Sequence, residues 1–195
     1  MDVATPEEVL SYWVDEVGSD GWYRVDERVD AEIRARFAAT WEEARAGSLS
    51  GWLCGPKRTL AYVILTDQFP RNMFREDARA FATDRAARAA ALRAIGQRWD
   101  MRVAEPERQF FYLTLMHSEV LADQEHGLRL ILTRLPRTGA DNLLHARAHR
   151  EVIRRFGRFP HRNAALGRAS TDAERGYLKG GGYGAVVREF QADAA

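Results

Sequence analysis

The chain is poor in the features that staple small or secreted domains together. It has one cysteine, Cys54, so no intramolecular disulfide can form and a Cys-rich zinc module is excluded. A lone thiol fits a reducing compartment, and the expected location is the cytoplasm. The opening MDVATPEEV is acidic and lacks a signal-type apolar core. No run approaches the ~20 apolar residues a membrane span requires, since LAYVILT at 60–66 stops at Asp67. An excess of one charge is missing too. Lys and Arg number 29 against 28 Asp and Glu, so the summed field gives no reason to expect nucleic acid or an anionic membrane as partner. No segment alternates apolar and polar residues for long enough to demand a strand. Gly-x-Ser-x-Gly, P-loop and dinucleotide fingerprints do not occur.

What the chain has is helical punctuation. Thr5-Pro6-Glu7-Glu8 combines an N-cap, a first-turn proline and a capping-box glutamate ahead of Val9, Leu10, Trp13 and Val14. Val29, Ile33, Phe37 and Trp41 recur at helical spacing up to about Gly47. Pro56 opens a helix through LAYVILTDQ that is apolar on nearly all sides and therefore central. Thr83 or Asp84 caps an alanine-rich helix ending near Gly96, and Glu105-Pro106-Glu107 starts one that runs into His117-Ser118-Glu119. An amphipathic stretch follows from Asp123 to Leu135, Asp141 begins a long helix to about Phe156, and Thr171 to Glu174 forms a second capping box. These signals predict an all-α fold, a single globular helical domain over residues 1–180 with short links. The Gly180-Gly181-Gly182 run and the alanine-rich end predict a mobile tail over 181–195.

One phrase occurs twice: Phe69-Pro70-Arg71-Asn72, and Phe159-Pro160-His161-Arg162-Asn163. Proline disfavours the α conformation in the residue before it, so each Phe-Pro is expected to end one helix and open a new turn. The following Arg and Asn then sit where unpaired N–H groups favour anions, and a guanidinium adds a clamp for carboxylate or phosphate. Arg71, Asn72, Arg158, His161, Arg162 and Asn163 are the candidate binding residues, and the two phrases are expected to meet around one cleft. For each arginine taken alone the competing reading is an ordinary ion pair or a helix cap.

Four histidines bear on chemistry. His145 and His149, four apart, share a helix face that continues through Val152, Ile153 and Phe156. His117 continues the stripe of Phe110 and Leu113, and His161 lies inside the second phrase. Three readings stay open: satisfied packing residues, a general acid/base oriented by Glu119 or Asp67, and a metal site built on His-x₃-His. The glutamate expected between such a pair in a zinc protease is absent, as residues 146–148 are Ala-Arg-Ala, and no metal ligands are assigned.

DQFPRNMFR (67–75), AFATD (80–84), FFYLTLMHSEVLADQE (110–125), HARAHREVIRRFGRFPHRNAALGRAST (145–171) and ERGYL (174–178) together resemble the bacterial family known as domain of unknown function 924. The likeness runs from TPEEVLSYW to about Leu178. It implies an all-helical fold similar to tetratricopeptide repeats and implies no established activity. His117, Ser118, Glu119, Gln124, His149, Arg158, His161, Arg162 and Asn163 match by position in the family's phrases. Thr114 departs from it, standing where a proline is usual, so the helix before His117 loses an expected kink. Val120 stands where an acidic residue often follows, and the glycine-rich end after Lys179 differs as well.

The functional expectation is a cytosolic enzyme acting on a small anionic metabolite. Arg71 and Arg162 would hold the anion, while His117 or His149, oriented by Glu119 or Asp67, moves a proton. One alternative is a tetratricopeptide-like module that binds a peptide or its terminal carboxylate; another is a metal-dependent oxidoreductase or hydrolase. No cofactor and no oligomeric state follow from the sequence.

Overall fold

The structure is a computed structural model that describes residues 3–192. It is all-α, and among the described residues no strand forms. Among the described residues no helix is long and apolar enough to cross a membrane. Two compact units divide the chain, residues 1–114 and 115–195.

In the first unit, helix α1 (Pro6–Leu10) starts on the expected capping box, with the Thr5 hydroxyl accepting from the Glu8 amide and Glu8 accepting from the Thr5 amide. It widens into a π-helical stretch, Ser11–Val17, that buries Tyr12 and Trp13. Helix α2 (Glu27–Ala46) follows an Asp26 cap and stops at Gly47, whose left-handed φ of 85° suits a residue without Cβ. Its inward face carries Ile33, Phe37 and Trp41. Helix α3 (Pro56–Val63) is central as its composition requires, because every residue from Thr59 to Asp67 is buried. Phe69 is the hub of the aromatic packing, with ring centroids 4.9 Å from Phe37 and 5.5 Å from Trp13.

The first Phe-Pro does not break the chain out of helix. Residues Ile64–Gln68 are π-helical, and Phe69 keeps helical angles (φ −61°, ψ −38°) while its amide donates to the Ile64 carbonyl five residues back. The wider turn accepts Pro70, which has no N–H to contribute, and a short helix, Phe69–Met73, carries on. Helix α4 (Asp84–Gly96) follows Thr83, whose hydroxyl does not cap it. That hydroxyl instead donates to the Thr66 carbonyl at 2.6 Å and accepts from the Trp41 indole at 3.0 Å. In α5 (Gln109–Met116) the Thr114 hydroxyl donates back to the Phe111 carbonyl at 2.8 Å, a bond that proline could not make.

The second unit holds α6 (Leu121–Arg134), α7 (Ala140–Phe156), α8 (Asp172–Lys179) and α9 (Gly182–Ala192), with α7 packed on both α6 and α9. Its core is Ala148, Val152, Ile153, Phe159 and Val186, flanked by Phe156, Tyr177, Tyr183, Val187 and Phe190. Here the second Phe-Pro does break the chain, since Phe159 is extended (φ −89°, ψ 107°) before the turn Pro160–Arg162.

The expected mobile tail is, through residue 192, a packed helix; residues 193–195 lie outside the described residues. Gly181 (φ 98°) and Gly182 (φ 53°) supply left-handed backbone for a tight turn after α8. Tyr183, Val186, Val187 and Phe190 then form an i, i+3, i+4, i+7 stripe, and Val186 is 1% exposed. Val186→Ala removes two buried methyl groups and is expected to lower stability by about 2 kcal/mol in denaturant titrations. An unchanged midpoint would restore the mobile tail.

Candidate functional site

The candidates from the first unit are already engaged. Arg71 pairs with Asp67 at 3.3 Å and Asp84 at 3.0 Å, and also donates to the Asp67 carbonyl. Asn72 donates to Asp30 at 2.8 Å and accepts from Gln68 at 3.0 Å. The two Phe-Pro phrases belong to different units, with Arg71 in the first and Arg162 in the second.

The second unit brings together the larger group. Glu119 follows α5, and its carboxylate receives three hydrogen bonds: 2.7 Å and 3.0 Å from the two terminal nitrogens of Arg168, and 2.8 Å from the Phe159 amide. This paired guanidinium and amide outweigh the opposing effect of burial and hold the carboxyl below its ordinary range. Arg168 also donates to the Asn163 side chain at 3.0 Å and the Phe159 carbonyl at 3.1 Å, and Asn163 in turn donates to Ser170 at 3.0 Å. Arg158 is bidentate to Glu174 at 2.6 and 2.8 Å, which with the Thr171 amide brings the Glu174 carboxyl down to about 2. Glu119, Arg158 and Asn163 therefore organise the segment from Arg158 to Glu174, with their hydrogen-bonding edges directed at protein.

The histidines are placed differently. His149 Nδ1 lies 3.0 Å from the Met116 carbonyl, so Nδ1 carries the proton and Nε2 is the acceptor nitrogen. The orienting group is thus a backbone carbonyl at the end of α5, and the sequence had pointed to a carboxylate. Gln124 donates to the same carbonyl at 2.6 Å and to the Ser118 carbonyl at 2.6 Å, while Ser118 donates to Asp123 at 2.6 Å. These bonds fix the loop that carries His117. The His117 and His149 rings are 6.2 Å apart, with Phe159 5.3 Å and Tyr183 4.7 Å from His149. Burial first, then the neighbouring His117, lowers His149 to about 3.

Arg162, 7% exposed, donates to the His117 carbonyl at 2.9 Å and lies 4.5 Å over the Phe159 ring. His161 is exposed at the same ring, 5.5 Å between centroids. Tyr183 is the residue that sequence reasoning missed. Its hydroxyl is 2.6 Å from His145 Nδ1, and burial raises its pKa. Reading the glycine run as a tail concealed it, although the Tyr183, Val186, Val187, Phe190 spacing was there to find. Among the described residues no group of three or more His, Cys, Asp or Glu is arranged to hold a metal ion.

The profile of a family described as bacterial protein of unknown function (DUF924) matches residues 9–182, and the chain belongs to that family. A solved structure of a protein of unknown function from Agrobacterium tumefaciens is 40% identical and superposes with a TM-score of 0.82, covering 89% of this chain and 96% of that one. No curated protein matches.

Acid should destabilise the protein in two stages. A histidine in the unfolded chain takes up its proton near 6.5, whereas folded His149 does so at about 3. Between those values the unfolded state binds more protons, so stability falls as pH drops through the window. Glu119 and Glu174, both lowered, contribute stability above ~4.3 that is lost at lower pH. The melting temperature is expected to begin falling just below pH ~6.5, before carboxylates protonate, and His149→Gln should flatten that first stage. Identical first-stage slopes in the two proteins would contradict the neutral, half-buried assignment of His149.

Proposed function

We propose that this protein is a cytoplasmic enzyme acting on a small anionic molecule, with the His149 and His117 imidazoles as its acid–base groups and Arg162 as the cation beside them. The observation that carries this reading is the bond from His149 Nδ1 to the Met116 carbonyl, which leaves Nε2 as an unprotonated acceptor of fixed orientation next to a second imidazole. A histidine serving packing alone has no need of a neighbouring imidazole and guanidinium, both of which make protonation harder.

The same electrostatics suggest how such a base would be controlled. Burial, His117 and Arg162 all suppress protonation of His149 in the free protein. An anion entering beside Arg162 would offset its positive charge and raise the proton affinity of Nε2. His149 would then become an effective base chiefly when substrate is bound, which limits unproductive protonation. Arg162, held to the His117 carbonyl and seated on Phe159, would meet the anion in a fixed orientation. Glu119 takes no proton in this scheme, because Arg168 and the Phe159 amide occupy its oxygens; it positions the loop.

Imidazole titration by NMR tests the proposal. His149 is expected to stay neutral down to pH ~4 in the free protein and to shift upward when phosphate or a small dicarboxylate binds. Proton uptake on binding, read by calorimetry in buffers of different ionisation enthalpy, should accompany the shift and vanish in His149→Gln. A His149 that titrates near ~6.5 without ligand would sink the scheme, as would a panel of anions that leaves it unmoved.

A further inference from the structure

The first unit carries a cavity of about 580 Å³ lined by Glu27, Asp30, Arg34, Arg75, Asp77 and Arg79 among others, a size within the usual range for small-molecule pockets. Its three guanidiniums are pinned by the same edge. Arg75 reaches Asp30 through Nε at 2.6 Å and Nη2 at 3.0 Å. Arg79 reaches Asp77 through Nε at 3.2 Å and Nη2 at 2.9 Å. Arg34 reaches the Met73 carbonyl through Nε at 3.2 Å and also through Nη2. In all three, Nη1 has no hydrogen-bond partner among the described residues. Donors held this way lose little freedom when a ligand accepts from them.

Charge narrows the class of ligand. Asp30 answers Arg75 and Asp77 answers Arg79, whereas Arg34 meets only a neutral carbonyl and Glu27 meets no partner among the described residues. One cation and one anion are left over. Both sit on α2, seven residues apart, which is about two helical turns: nearly the same face, with backbones separated by ~10 Å. A simple anion would satisfy Arg34 and be repelled by Glu27. We infer that this cavity binds a short zwitterionic chain, its carboxylate toward Arg34 and its ammonium toward Glu27, the chemistry shared by small peptides and ω-amino acids. An α-amino acid, with both charges on one carbon, is too short to answer both residues. The inference is independent of the histidine chemistry, since none of its residues belongs to that site.

Calorimetry on the full chain with 6-aminohexanoate, triglycine, glycine, hexanoate and hexylamine tests it. One or both of the long zwitterions are expected to bind at least about tenfold more tightly than glycine, hexanoate or hexylamine, the factor that one charge-assisted contact supplies. A preference for triglycine assigns a peptide, and a preference for 6-aminohexanoate an ω-amino acid. Glu27→Gln should abolish the advantage over hexanoate with only a small fall in melting temperature, because what is lost in the folded state is the favourable placement of one charge in the first turn of α2. Arg34→Gln should abolish the advantage over hexylamine; as it also gives up the Met73 contact, Glu27→Gln is the deciding variant. Hexanoate or glycine binding as tightly as the long zwitterions would overturn the inference. So would the absence of binding by either long zwitterion, or an unchanged preference in Glu27→Gln.

Discussion

The second unit depends on one interaction, the reception of Glu119 by Arg168 and the Phe159 amide. It ties the loop after α5 to the turn after α7, two segments about forty residues apart in sequence. Both partners of the ion pair are partly buried, with side chains 27% and 24% exposed. Solvent screening is therefore incomplete, and removing either partner would leave a charge facing polar groups arranged for its opposite. From Arg168 the bonding passes to Asn163 and Ser170 on one side and to the Phe159 carbonyl on the other. The Phe159 ring, positioned by this bonding, supports His149 on one approach and Arg162 on another. Disturbing the pair would thus disturb the imidazoles without touching them.

This arrangement assigns different work to residues that look equivalent in the chain. Of the charged residues singled out by the Phe-Pro phrases, Arg158 has a buried carboxylate partner, and Arg71 sits between two. Arg162 donates to the His117 carbonyl and lies over the Phe159 ring. Its charge opposes protonation of His149, together with His117 and behind the larger effect of burial. Arginine is suited to this role because it remains protonated where burial would neutralise a lysine. The cost of keeping two imidazoles and a guanidinium together is stability at low pH, a cost that packing alone gives no reason to accept.

Much of the fold was legible in local chemistry. Both capping boxes form at the residues whose types require them, and the apolar run after Pro56 is buried throughout. Failures of the reading have local causes too. A proline is a poor guide to helix ends where the turn is π-helical, because the missing N–H is no longer needed at that position; hence Pro70 and Pro160 behave differently. The glycines before α9 were read as disorder, yet they supply the turn that lets an amphipathic helix fold back on α7. Of the site, residue types were readable and partners were not. Glu119 and His149 were both singled out, but the sequence cannot say that Arg168 claims one and the Met116 carbonyl claims the other, since those pairings span 49 and 33 residues.

The same distinction separates the two polar sites. In each, charged groups that merely build the protein come as matched pairs, as with Arg158 and Glu174, Arg168 and Glu119, or Arg75 and Asp30. Near His149 the neighbours His117 and Arg162 oppose protonation and so tune a base. Around Arg34 and Glu27 the groups outside the pairs are one charge of each sign, two helical turns apart, which suits a ligand carrying both. Buried or pinned ion pairs are costly to rearrange, so a ligand reads the groups that the fold has left over. Around Arg34 and Glu27 the ligand class thus follows from pairing geometry, because the protein already holds one edge of each guanidinium there.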